Sequence, residues 1–128
     1  MVHLTPQEIL ARAKEFLQGA EYAVQNNYFN VAAICSYAAL FWAARGALAY
    51  AGFDRPTWEH SELRARFTDE LIKNRERYPQ NFGTWLANSF RLRNFAQYHF
   101  DHPQVKKNRR MVYHAQEFIH KVEEVINK

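Results

Sequence analysis

The chain has 128 residues, of which 48% are hydrophobic and 16% aromatic, so it holds enough apolar side chain for a buried core and is not expected to be disordered. Four glycines and four prolines are too few for an architecture of many short strands and turns, and no alternating β pattern persists. The net charge of +4 permits a polyanionic partner without requiring one. We therefore predict a single all-α domain over residues 1–128.

The first two predicted helices span about residues 6–26 and 31–51. Thr5 and Glu8 have the spacing of a capping box at the start of the first helix, with a proline at its first position. Asn30 is the expected cap of the second helix, and a glycine follows its last residue.

The remaining chain predicts three further helices. The third, over about residues 58–75, is polar and broken, with Thr57 as its cap; the fourth spans about 82–100 and the fifth about 104–126. Short links between long helices make antiparallel neighbours, so we predict an up-and-down bundle of about five helices.

The second helix also bears on localisation. Residues 31–53 contain one charge, Arg45, and reach the length of a membrane span. Their alanines, glycines and polar side chains favour a central helix packed closely by neighbours, so we expect no membrane association. The single cysteine, Cys35, excludes an intramolecular disulfide, and no signal-peptide pattern precedes the first helix, so we predict a cytoplasmic protein.

The fourth predicted helix carries a charge on its apolar side. At about 100° per residue, one stripe of this helix contains Phe82, Leu86, Phe90, Arg93 and Phe100. Arg91 points to the opposite, polar side. A charge on an apolar stripe is costly unless something pairs with it, so Arg93 is expected to meet either an anion or a buried carboxylate.

Arg93 and a nearby histidine are the first candidates for chemistry. A guanidinium is a fixed cation that can clamp phosphate, and the imidazole of His99 can move a proton near neutral pH. Standard phosphate loops and cysteine-based zinc sites are missing. Residues 99–102 hold two histidines and an aspartate, but without further ligands at fixed spacing we expect no metal and no cofactor.

Basic residues open the fifth predicted helix. Cations at a helix N-terminus oppose the helix dipole, so an anionic partner would explain them, although a solvated charged turn is an alternative. With Arg93 they are expected to line a groove that follows a phosphate backbone. The predicted nucleic-acid-binding residues are His102, Lys106, Lys107, Arg109 and Arg110.

Three segments together resemble the HEPN superfamily, and more closely its short single-domain bacterial members. They are residues 20–33, residues 36–45 followed by His60 and Ser61, and the motif that begins Arg93-Asn94 and ends at His99. The likeness covers nearly the whole chain. The first two segments are fairly specific together, whereas the short motif alone would be weak.

The resemblance implies a helical homodimer in which the motifs of two subunits meet in a cleft. Many such proteins are metal-independent RNases, often toxins encoded beside a minimal nucleotidyltransferase that acts as antitoxin. Arg93 would then stabilise phosphate charge, His99 would act as general base or acid at the ribose 2′-hydroxyl, and Asn94 would orient the site. Tyr98 is a candidate for modification by the partner.

Two other functions remain open. The chain is alternatively a non-catalytic subunit that holds nucleotide or polynucleotide for the nucleotidyltransferase. The other alternative is a purely structural helical protein in which Arg93 pairs with a buried carboxylate.

Overall fold

A computed structural model describes residues 4–101 and 104–128. Within those ranges the chain forms five α-helices and one π-helical segment, and no strand, which confirms the all-α prediction. The elements are α1 (Pro6–Gln25), α2 (Phe29–Tyr50), α3 (His60–Arg66), the π-helical segment (Phe67–Asn74), α4 (Asn81–Tyr98) and α5 (Val105–Ile126).

The four long helices run up and down. Contacts between neighbours pair increasing residue numbers on one helix with decreasing numbers on the next, which is the signature of antiparallel packing. The pairs are Gly19–Cys35 and Ile9–Gly46 for α1 and α2, Lys14–Glu123 and Glu21–Gln116 for α1 and α5, and Phe82–Phe118 and Trp85–His114 for α4 and α5.

Helix α2 forms the centre of the bundle, in contact with α1, α4 and α5. Small residues on its surface allow close approach: a β-carbon on Gly46 would lie 3.4 Å from the Ile9 side chain and 3.5 Å from the Pro6 carbonyl oxygen. Of the described helices, this one alone is long and apolar enough to cross a membrane. Eleven of its residues are buried against its neighbours, which supports the interpretation as a core helix.

Two helix ends follow the sequence signals. The Glu8 amide donates to the Thr5 hydroxyl at 3.1 Å and the Thr5 amide donates to the Glu8 carboxylate at 3.0 Å, so the predicted capping box is present. After α2, Gly52 adopts φ +97°, a conformation that other residues rarely tolerate. The Phe53 amide then donates to the Leu48 carbonyl at 2.8 Å and closes the helix.

Two predicted caps are wrong. Helix α2 begins at Phe29 rather than after Asn30, and no side chain caps it; Phe29 is buried, and its packing sets the start. Helix α3 begins at His60 rather than after Thr57. The chain before it is held in a loop, because the ring of Trp58 lies 4.4 Å beneath the Arg55 guanidinium.

The end of α4 is also corrected. The helix stops at Tyr98, and His99 is extended, with φ −116° and ψ 137°. Phe100 therefore leaves the apolar stripe and is fully exposed.

The break expected in the third helix is a change of helix type. At Phe67 the α-helix widens into a π-helix, which turns Phe67 and Leu71 into the core. Gly83 in α4 permits close packing there, because a β-carbon at that position would lie only 3.0 Å from the Thr68 hydroxyl oxygen. The π-helical segment is thereby seated against the start of α4.

Candidate functional site

Arg93 lies half-buried on α4 among aromatic rings. Its guanidinium carbon is 5.2 Å from the centre of the Tyr37 ring and 5.9 Å from that of Phe90. The same guanidinium donates to the Asn94 side-chain oxygen at 3.1 Å. Among residues 4–101 and 104–128, no carboxylate forms an ion pair with it. The expected pairing with a buried acid is therefore not what holds Arg93 in place within the described chain.

A histidine from α3 completes this group. The His60 ring stacks on Phe90 with centroids 3.9 Å apart and an interplanar angle of 11°. The Tyr37 hydroxyl lies 3.5 Å from His60 Nδ1, at the long limit of a hydrogen bond. We call Tyr37, His60, Phe90, Arg93 and Asn94 the arginine cluster.

The electrostatics of the arginine cluster keep its histidine neutral. Burial, together with the positive charges of Arg64 and Arg93, lowers the pKa of His60 to about 4. Burial also raises the pKa of the Tyr37 hydroxyl, although Arg93 opposes that shift. At neutral pH the cluster thus presents one cation beside uncharged polar groups.

Sequence reasoning missed the roles of Tyr37 and His60. Both residues lie in segments that carry the family resemblance, but 23 positions separate them. Only the packing of α2, α3 and α4 shows that they meet on Phe90. Their position in those segments is the signal that the sequence offers for them.

His99 lies apart from Arg93 in the single chain. It follows the last residue of α4, is exposed, and stacks on Phe95 with centroids 5.1 Å apart and an angle of 15°. Phe95 lines a different surface of α4, facing α5. The two ends of the predicted motif therefore belong to different surroundings.

That surface is a cleft between α4 and α5 with a volume of about 360 Å³. We call it the basic cleft, because cations from both helices line it and none of its described lining residues is acidic. It is lined by Asn88, Arg91, Leu92, Phe95, Gln104, Lys107, Arg110, Met111 and His114.

The predicted nucleic-acid-binding residues are divided by this geometry. Lys107 and Arg110 enter the basic cleft, where they join Arg91 rather than Arg93. Arg109 lies 5.6 Å over the ring of Phe29, the first residue of α2, and Lys106 is exposed. His102 lies outside the described residues. The groove expected to include Arg93 is thus replaced by one that includes Arg91.

Tyr98 is 74% exposed at the end of α4, and so is accessible to a modifying protein. Among the described residues, no three His, Cys, Asp or Glu side chains group closely enough to hold a metal ion. The cluster over residues 99–102 includes His102, which lies outside the described residues.

These features define an all-α helical bundle with a cation–aromatic site at the junction of α2, α3 and α4. A family model described as the HEPN domain matches residues 6–127. The chain belongs to the HEPN domain family, whose members are generally RNases or nucleotide-binding proteins. No curated protein matches the chain.

Proposed function

We propose that the chain is a metal-independent endoribonuclease that acts as a homodimer and is controlled as a toxin by a minimal nucleotidyltransferase. The observation that carries the proposal is the state of Arg93, a half-buried cation with aromatic and amide neighbours and no carboxylate partner among the described residues. A guanidinium held in this way is suited to bidentate contact with a phosphodiester.

The proposed reaction is an attack by the ribose 2′-hydroxyl on the adjacent phosphorus. The hydroxyl proton passes to a base, the bond to the 5′ oxygen breaks, and the departing 5′ oxygen takes up a proton from an acid or from water. A cation stabilises the charge that develops on the phosphoryl oxygens. Arg93 supplies that cation. His60, with a pKa of about 4, is a weak base at neutral pH, so we assign the proton transfer to His99. The products are a 2′,3′-cyclic phosphate and a 5′-hydroxyl.

Two subunits are needed to complete this site. Arg93 and His99 have different surroundings in one chain, so we propose that Arg93 of one protomer works beside His99 of its partner. Exposed Tyr98 and Phe100 give this end of the bundle an apolar surface for such an association. We expect a dimeric mass in solution at micromolar concentrations, and a monomeric mass there would contradict the composite site.

The first test is RNA cleavage in excess EDTA, with the product ends analysed by mass spectrometry. We expect cyclic phosphate ends and a large loss of cleavage in His99→Ala. The matched control is His120→Ala, which removes an exposed histidine from α5 that is 3.7 Å from Glu124. Cleavage that stops in EDTA and returns with added metal would overturn the mechanism.

Expression in cells tests the toxin assignment. The chain alone should arrest growth, and co-expression of a nucleotidyltransferase encoded beside it should relieve the arrest. If the partner modifies Tyr98, the intact mass of the chain should increase in that strain and stay unchanged in Tyr98→Phe.

The second candidate function is a non-catalytic subunit that binds nucleotide or polynucleotide. The separation of His99 from Arg93 and the three cations of the basic cleft favour it. RNA that is bound but left intact, with no effect of His99→Ala on binding, would select this alternative.

A further inference from the structure

The Tyr37 hydroxyl is a polar group of the arginine cluster that the proposed cleavage leaves without a role. Tyr37 is partly exposed on α2, and the Arg93 guanidinium lies over its ring. Among the described residues, the hydroxyl makes one hydrogen-bond contact, with His60 Nδ1, and at 3.5 Å that contact is long and weak. A phenolic oxygen can accept one hydrogen bond while it donates another, so this group has capacity for a second partner.

Aromatic packing fixes the position of the Tyr37 ring. The ring contacts Phe41 one turn further along α2, with centroids 6.0 Å apart, and Phe90 on α4, with centroids 5.7 Å apart. Phe90 in turn stacks on His60, and both Tyr37 and Phe90 lie beneath Arg93. An anion as large as phosphate that binds the guanidinium is therefore within reach of the Tyr37 side chain. Donors held in place before the substrate arrives lose little free energy to reorganisation.

The Tyr37 hydroxyl keeps its proton at neutral pH. Burial raises the pKa of Tyr37 above its ordinary value, although the charge of Arg93 opposes that shift. His60, with a pKa of about 4, is neutral, so one of its two ring nitrogens carries a proton. When that nitrogen is Nδ1, the imidazole donates to the Tyr37 oxygen and the phenolic proton is free to point towards an anion. An anion beside Arg93 favours this arrangement, because its charge attracts the phenolic hydrogen.

We propose that Tyr37 is a second catalytic donor, whose hydroxyl donates a hydrogen bond to a phosphoryl oxygen of the scissile phosphodiester beside Arg93. His60 is its positioning residue and donates from Nδ1 to the Tyr37 oxygen. The inference rests on the proposed RNA cleavage and adds two residues to it. Tyr37 keeps its proton throughout, so the proton of the ribose 2′-hydroxyl still passes to His99. The hydrogen bond strengthens as negative charge develops on the phosphoryl oxygens, and so it stabilises the transition state more than the bound substrate.

The first test is Tyr37→Phe, which removes the hydroxyl and keeps the ring beneath Arg93. We expect kcat for RNA cleavage to fall about tenfold or more, with a smaller change in KM, because the lost hydrogen bond is strongest in the transition state. The matched control is Tyr113→Phe, which removes the hydroxyl of a 67% exposed tyrosine on α5. Cleavage by that variant should stay within about twofold of wild type. An equal effect in the two variants, or full activity in Tyr37→Phe, would overturn the role of the hydroxyl.

The second test separates a positioning role of His60 from a purely structural one. His60→Asn and His60→Gln both lose the ring that stacks on Phe90. The amide of asparagine lies near the place of Nδ1, whereas that of glutamine lies near the place of Nε2, so we expect His60→Asn to retain several times more activity. In the Tyr37→Phe background the two substitutions should be equal, because His60 then has no hydroxyl to position. A difference that persists without the hydroxyl would remove His60 from this role.

The measurements distinguish failure of this inference from failure of the proposed function. Cleavage that depends on Arg93 but not on the Tyr37 hydroxyl upholds the endoribonuclease and removes the second donor. If wild type cleaves no RNA, the endoribonuclease is removed, and binding of an oligonucleotide with 2′-O-methyl groups decides the phosphate contact. Weaker binding in Tyr37→Phe, with Tyr113→Phe unchanged, upholds that contact, and equal binding removes it. Tyr37→Phe should melt like wild type; a clear fall in Tm together with lost cleavage would assign the hydroxyl to the fold and overturn the inference.

Discussion

Helix α4 carries two arginines two residues apart, and their surroundings differ in almost every respect. Arg93 is half-buried, lies over the rings of Tyr37 and Phe90, and is the one cation of its cluster. Arg91 is exposed and shares the basic cleft with Lys107 and Arg110. A rotation of about 200° around the helix separates the two side chains, so neighbouring positions in the chain serve two different surfaces.

The arginine cluster and the basic cleft share one electrostatic feature. In each, a partly buried imidazole next to an arginine has a lowered pKa, His60 beside Arg93 and His114 beside Arg110. Burial is the main cause in both cases, so the arginines remain the charged groups at neutral pH. The difference lies in the number and freedom of the cations. One cation fixed by aromatic faces suits a single phosphoryl group, whereas three exposed cations suit a ligand with several charges.

The largest expected effect separates the two arginines by function. Arg93→Ala should lower RNA cleavage about 100-fold or more, the usual loss when one preorganised donor to a developing charge is removed. Arg91→Ala should leave cleavage within about threefold, because that side chain is exposed and lines the basic cleft rather than the arginine cluster. If the chain is instead a nucleotide-binding subunit, Arg91→Ala should weaken nucleotide binding more than Arg93→Ala does. Equal losses of cleavage in the two variants would contradict the assignment of separate roles.

A smaller effect concerns stability. Arg93→Ala removes contacts with two aromatic rings and leaves no carboxylate unpaired among the described residues. We therefore expect the free energy of unfolding to fall by only about 1 kcal/mol, as measured by urea denaturation. A loss of several kcal/mol would show that Arg93 neutralises a buried charge, and would favour the structural interpretation of the chain.

Much of the fold follows from local sequence signals. The 3.6-residue period places Phe82 and Leu86 in the core, and the capping residues Thr5 and Glu8 mark the start of α1. The same period places Arg93 on the apolar stripe and Arg91 opposite it. These features depend on residues within a few helical turns of each other, so they can be predicted from a single sequence.

Other parts of the site depend on packing between distant segments. The meeting of Tyr37, His60 and Phe90 joins three helices, and no periodicity within one helix indicates it. Helix ends are equally difficult, since α4 stops at Tyr98, two residues before the predicted end. His99 and Phe100 therefore lie outside the helix, and the two ends of the predicted motif lie on different surfaces.

The smallest expected effect is a shift in the titration of His60, followed by the ring resonances in NMR spectra. An unfolded chain takes up this proton as the pH falls through about 6.5, but the folded chain takes it up only near pH 4. Folding is therefore destabilised as the pH falls from 6.5 towards 4, and wild type should lose more stability across that window than His60→Gln.

Part of the lowering of the His60 pKa comes from the charge of Arg93, so Arg93→Ala should raise that pKa. Arg91→Ala removes the same charge from the other side of α4 and should leave that pKa unchanged. A wild-type His60 that titrates near its ordinary value, or one that responds equally to both substitutions, would contradict the closed cluster of Tyr37, His60 and Arg93.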